Sequence, residues 1–253
     1  MQFKLLLSST TFFAIAASTV SAQDFGLLGI PAISSMSGSD GETTYSLSLQ
    51  ILALMTALTV IPSLILGMTA FTRIIIVLSI LRQALGTQQT PPNQVLIAVA
   101  LFLTFFVMGP VFDLLYTETL APFLDGQIEL NIALAQGLAT MKEFMIANTR
   151  EDTLLMFTDL AEKGPFEDPQ SVPINIVLPA FITSELKTAF EIGFIIYLPF
   201  LVIDMVIASI LMSLGMMMLS PMLISLPFKL LLFVLVDGWA MTLGSLSSTF
   251  MVM

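Results

Sequence analysis

Neither cysteine nor histidine occurs among the 253 residues. Without cysteine there is no disulfide framework and no thiolate site. Without histidine, serine–histidine catalysis, imidazole metal ligation and imidazole proton relays are all excluded. Charge is scarce too, at 10% of residues against roughly 25% in soluble domains. Eight basic residues face eighteen acidic ones, a net charge of −10, which argues against nucleic acid as a partner. No Walker-type phosphate loop (Gly-x4-Gly-Lys-Ser/Thr) is present, so no nucleotide site is recognisable. The remaining carboxylates and hydroxyls form no acid–base constellation. The expectation is no enzyme, no cofactor and no metal.

What the chain has in abundance is apolar sequence: 57% hydrophobic residues and a mean hydropathy of +0.98. No charge falls between Glu42 and Arg73, nor between Arg82 and Asp113. Each stretch holds the ~20 apolar residues that cross a bilayer core. The expected class is an all-α integral membrane protein with about four hydrophobic helical segments in two hairpins.

Residues 1–22 read as a signal peptide: Lys4, an apolar core from Leu5 to Ala17, then Val20-Ser21-Ala22 as a small-residue cleavage site. Residues 23–44, rich in Gly, Ser and Asp, read as an exposed leader. Residues 45–115 form the first hairpin, with a kink or break expected near Pro62, a break near Gly109-Pro110 and a polar turn at 83–94. Arg73 and Arg82 are the basic residues of this hairpin, which places its turn on the cytoplasmic side. Residues 116–187 differ in kind, holding eleven of the eighteen acids and four of the eight bases. Apolar positions recur there at three- and four-residue spacing, so amphipathic helices on the extracytoplasmic side are expected. Residues 188–250 form the second hairpin.

The chain is organised around that hairpin's tip, DMVIASILMSLGMMMLSPMLISLPFK (Asp204 to Lys229). One apolar run ends at Gly215, three methionines follow (Met216, Met217, Met218), and a second run starts at Pro221. A turn that meets water normally carries Asn, Asp or Ser. Thioethers at a loop spanning 215–221 indicate a tip packed against something, most simply copies of itself. Ordinary apolar filler is the plainer explanation, and three methionines in a row between Gly215 and Pro221 weigh against it.

Ionisable groups also lie in or beside the second hairpin: Glu185, Glu191, Asp204, Lys229 and Asp237. Charges at membrane depth are costly and face protein or a watery path. Were the chain to turn at Met218, Asp204 and Lys229 would lie fourteen residues before and eleven after it. At ~1.5 Å rise per residue they reach nearly one height and are expected to pair. The alternative is a Lys229 that snorkels to an interface beside a solvated Asp204.

Two blocks carry a resemblance. RIIIVLSILRQALGTQQTPPNQVLIAVALFLTFFVM (Arg73 to Met108) and LPAFITSELKTAFEIGFIIYLPFLVIDMVIASILMSLGMMMLSPMLISLPFKLLLFVLVDGW (Leu178 to Trp239) are similar to the FliP family of flagellar export-apparatus proteins. The likeness covers nearly all of residues 45–250. It implies a homo-oligomer, five-fold, that assembles with Q-type and R-type export proteins into a helical, ring-like pore. It places that pore in the bacterial inner membrane at the flagellar basal body, beside a proton-driven export gate and its switch protein. Unfolded flagellar subunits are the implied cargo. The methionines of residues 215–221 are the implied gasket around the pore, and the hydrophobic segments are hairpins buried against neighbours as readily as bilayer crossings. Injectisome systems share the resemblance.

Physical chemistry supports the gasket separately. Methionine is unbranched and polarizable, so a thioether ring closes tightly and deforms around varied cargo. An apolar constriction also holds ions back by dewetting. Two rivals stand beside this reading. One is a small ion-coupled transporter or channel using Asp204, Glu191 and Lys229; the other is an assembly factor without a pore.

Overall fold

The computed structural model describes residues 34–37, 43–46, 49–87, 89–164, 166, 168–216 and 218–250. The expected signal peptide, part of the leader and Met217 lie outside the described residues. The chain divides into two units, residues 1–62 and 63–253. In the first, β1 (Ser34–Ser37) and β2 (Thr43–Ser46) form an antiparallel ribbon with Ser34 opposite Ser46. Every other described regular element is helical.

Helix α1 (Leu49–Gly67) runs on through Pro62. The break expected there falls instead at Met68–Ala70, before α2 (Phe71–Ala84). In α2, Ile74, Val77, Leu78, Leu81 and Ala84 are buried, an apolar stripe at helical spacing that must find a partner face. After the turn come α3 (Asn93–Val107) and α4 (Gly109–Leu114), bent by 61° at Met108, next to the expected break. A π-helical stretch (Leu115–Leu120) leads into α5 (Ala121–Leu124), so the chain is helical across the expected boundary at 115/116. Two further helices, α6 (Leu130–Ala147) and α7 (Glu151–Leu160), follow within the acidic region.

The partner face for α2 lies on α8 (Ile174–Ser213), a single helix of 40 residues. At ~1.5 Å per residue it is about 60 Å long, twice the ~30 Å hydrocarbon core. The sequence reading divided the chain at 187/188, where acidic residues give way to apolar ones. No break occurs there, because the helical spacing of buried residues continues through Phe181, Ser184, Glu185, Ala189 and Gly193. Gly193 allows a close approach: a Cβ at this position would stand 2.4 Å from Ile80 Cδ1 on α2. On the N-terminal half of α8, Phe181 meets Phe144 of α6 edge-on, with ring centroids 6.1 Å apart.

The last segment, expected as one apolar run, is two helices. These are α9 (Pro221–Leu235) and α10 (Gly238–Ser248), bent by 63° at Val236-Asp237. Among the described residues, by length and composition, α8 alone can cross a membrane; counting each bent pair as one span gives up to four.

Candidate functional site

Where α8 ends, the chain reverses through a glycine turn. Gly215 adopts φ +73°, a conformation that costs other residues strain. Its N–H donates to the Met212 carbonyl at 3.1 Å, and the Met216 N–H to the Leu211 carbonyl at 3.0 Å. That pair of bonds is a Schellman motif, which satisfies two of the carbonyls a helix leaves open. Pro221 then opens α9, where its missing N–H costs nothing. Met216 is 39% exposed and Met218 102%. Leu214, Leu219 and Leu223 are exposed around them. The tip is thus apolar and uncovered in the single chain, with a sharply defined backbone on its α8 side.

Beneath the tip lies a charged clasp. Lys229 Nζ donates to Asp204 Oδ2 at 2.6 Å and to the Ala84 carbonyl at 3.1 Å. Ser225, one turn before Lys229 on α9, donates to Asp204 Oδ1 at 2.5 Å. The Lys229 side chain is 2% exposed and that of Asp204 29%. Three elements meet here: α8 through Asp204, α9 through Ser225 and Lys229, and the end of α2 through a carbonyl of its last turn. A cation is favourable at that negative helix end. The polar turn after α2 lies against the same place, with Gly86 close enough that an added Cβ would stand 3.4 Å from Leu226.

Two further expected residues also find partners along α8. Glu185 forms a bidentate pair with Arg73: Nε donates to Oε2 at 2.8 Å, and Nη2 to Oε1. Both side chains are buried, at 4% and 0% exposure. Arg73 Nη1 also donates to the Thr249 carbonyl and hydroxyl, each at 3.0 Å, and its guanidinium stacks 3.9 Å from the Phe250 ring centre. Glu191 pairs with Arg150, whose Nε donates to Thr188 Oγ1 at 3.2 Å. Nearby, Lys187 Nζ donates to Asp152 Oδ2 at 2.8 Å. This hydrogen bond holds the Asp152 carboxyl below the ordinary aspartate range.

Arg73 therefore departs from its expected place as a marker of one aqueous face together with Arg82. It stands in the core near the C-terminal residues. Arg82, nine residues further along α2, lies at the turn, donating to the Pro91 carbonyl at 3.2 Å and to Asn93 Oδ1 at 2.6 Å. Asp237 is exposed at the α9–α10 bend, with no hydrogen bond from its side chain capping α10. Sequence reasoning missed Ser225, Arg150 and Asp152. Ser225 carried a signal, the four-residue spacing to Lys229 that puts both on one helix face. Arg150 and Asp152 carried none, since their partners lie more than thirty residues away on α8. Among the described residues no group of three or more Asp and Glu is placed to hold a metal.

A 40-residue apolar helix, bent apolar pairs and charges neutralised inside the fold define a helical membrane protein. The chain belongs to the FliP family, whose pattern matches residues 54–246. Over 237 residues it is 70% identical to the flagellar biosynthetic protein FliP of Cereibacter sphaeroides, covering 94% of this chain and 78% of that one. It is 54% identical over 221 residues to its namesake in Pectobacterium carotovorum subsp. carotovorum, covering 87% and 86%. The Bacillus subtilis (strain 168) relative is 50% identical over 218 residues, covering 86% and 98%.

Proposed function

We propose that this chain is a pore subunit of the flagellar protein-export gate in the bacterial inner membrane, and that Met216, Met217 and Met218 form its seal. Copies of the chain, five-fold, assemble with Q-type and R-type export proteins around a channel for unfolded flagellar subunits. Export is powered by the adjacent proton-driven gate and its switch protein. One observation carries the reading: an apolar, exposed tip at Met216 and Met218 stands on a hairpin locked at its base. A seal needs both properties, deformable side chains at the constriction and a stem that does not drift.

Relatives named for flagellar biosynthesis support the cellular setting. The ion-coupled transporter draws less support, since Asp204 accepts from both Ser225 and Lys229, the geometry of a structural clasp. The test is ion leak across the membrane of cells whose assembled complex carries alanine at Met216, Met217 and Met218. Leak with assembly intact is the expected result. A tight membrane, with the complex assembled and exporting, overturns the seal and returns the triplet to packing.

A further inference from the structure

Within residues 63–253 lies a groove whose apolar lining is interrupted by one unmet hydroxyl. Its volume is about 470 Å³, within the ~300–1,000 Å³ of small-molecule sites. Met68 beside the α1–α2 break, Phe112 on α4, Leu115 on the π-helical stretch, Phe123 on α5, and Leu134 and Met141 on α6 line it. Gly137 of α6 keeps one wall low. A Cβ there would meet Leu115 Cδ2 and Thr119 Cγ2 at 3.7 Å, an ordinary contact.

The hydroxyl belongs to Thr119, also in the lining. Among the described residues its oxygen is the one buried side-chain nitrogen or oxygen without a hydrogen-bond partner. In the α-helices a threonine hydroxyl donates to the carbonyl four residues back, as Thr104 does to Ala100 at 2.7 Å and Thr158 to Leu154 at 2.9 Å. Thr119 stands instead in the π-helical stretch, whose wider turn carries the Ala121 N–H to the Tyr116 carbonyl, five residues back. Such turns are rare and frequent at functional sites. A buried polar group left unmet is costly and calls for a partner. Water does not fill the role, because a held water needs about two to four polar contacts. Thr69, the other hydroxyl in the lining, is already bonded to the Leu66 carbonyl and the Phe71 N–H.

An occupant that suits this lining is hydrocarbon for most of its length and carries one isolated acceptor. The charge pattern says where it comes from. No charge lies between Arg82 and Asp113; Asp113, Glu118, Asp125 and Glu129 follow, with no basic residue before Lys142. Two bent candidate spans, α1 with α2 and α3 with α4–α5, supply walls of the groove. It therefore lies where apolar spans give way to charge, the level of the headgroup–acyl boundary. Glu118 and Glu129 are exposed and adjoin the lining residues Thr119 and Leu130 in the chain. Acids without bases there favour an ammonium headgroup over a net anionic one. We infer that the groove binds one acyl chain of a membrane phospholipid with an ammonium headgroup, the Thr119 hydroxyl donating to its ester carbonyl. This needs only a chain seated in a membrane and is independent of the methionine seal.

The test reconstitutes the full chain into vesicles of phosphatidylethanolamine and phosphatidylglycerol. A trace of the phosphatidylethanolamine carries a diazirine in one acyl chain. Labelling, located by peptide mass spectrometry, should concentrate on residues 112–123 and 130–141. Gly137→Leu, which fills the groove, should lower it there about ten-fold. Thr119→Val, which keeps the shape and removes the donor, should lower it about five-fold, the scale of one hydrogen bond. Gly137→Ala should keep most of it, and unlabelled phosphatidylethanolamine should compete better than phosphatidylglycerol. Labelling spread evenly over the exposed apolar surface, or unchanged in both Gly137→Leu and Thr119→Val, overturns the inference and leaves ordinary surrounding lipid. Equal competition by the two lipids overturns it as well. In native membranes a photo-cross-linking residue at Leu138 should capture lipid; capture of a second copy or of another protein instead overturns the site. If Gly137→Leu lowers the yield of the chain, Thr119→Val decides: weaker labelling supports the site, and unchanged labelling overturns it. Since the methionines stay untouched, a negative result here leaves the seal standing, and a tight membrane in the alanine variant leaves this site standing.

Discussion

The strongest single-residue dependence belongs to Arg73. Its guanidinium uses a fixed fork of donors on Glu185 and the Thr249 backbone and hydroxyl, a geometry lysine does not reproduce. Breaking a buried pair strands the other charge, so Arg73→Ala or Glu185→Ala alone should destabilise by about 3–5 kcal/mol. The double change to Met and Leu should recover most of that loss, since it strands no charge and leaves only the Thr249 acceptors without their donor. Thermal unfolding of the detergent-solubilised chain measures both. Asp152 offers a smaller, pH-dependent counterpart. Its carboxyl is depressed in the folded state by the Lys187 hydrogen bond. Stability from it is thus present above the ordinary aspartate range and fades as acid protonates the folded carboxylate. Asp152→Asn should flatten that part of the acid unfolding curve, by a small margin because the pair is exposed.

At the level of elements, α8 acts as a spine on which other pieces are hung by ion pairs. Glu185 holds α2; Lys187 and Glu191 hold the start of α7; Asp204 holds α9. Where α8 meets α2 most closely, Gly193 leaves room for Ile80. Gly193→Ala should cost about 1–3 kcal/mol by overpacking, and Ile80→Ala in the same chain should relieve part of it. A double-mutant cycle on thermal stability reads the coupling; additive losses would separate the two residues. At the hairpin base, Lys229→Met would leave Asp204 with only Ser225 and remove the donor to Ala84. Faster proteolysis near residues 214–220 is the expected sign of a loosened tip, and unchanged cleavage there would mean that packing alone fixes the turn.

For the molecule as a whole, the exposed surface is as apolar as many cores. Phe102, Phe106, Phe194, Met218 and Val234 are among the large side chains left uncovered. Patches of this extent mark contact with lipid or protein. If the methionine tip closes a pore, Met218 should be oxidised quickly by peroxide in the isolated chain and be protected several-fold once assembled. Equal oxidation in both states, read by mass spectrometry, would place the tip outside any contact.

The class, the hairpin and the height of one pair were legible in the order of residues. Long charge-free runs require a membrane-like solvent, Gly215 and Pro221 punctuate the turn, and the rise of a helix brings Asp204 level with Lys229. These follow from local rules of burial, backbone freedom and spacing. The rest came from contacts between distant parts of the chain. Arg73 and Glu185 are 112 positions apart, so no periodicity links them, and an arginine that read as a marker of one face became a core residue. The unbroken 40-residue α8 was hidden by a change in composition at 187/188, because charge marks solvent and partners but does not end a helix. The bend at Asp237 was hidden for the opposite reason. An apolar run on both sides looks continuous until the left-handed backbone at one residue and the Phe233 ring behind Gly238 turn the chain.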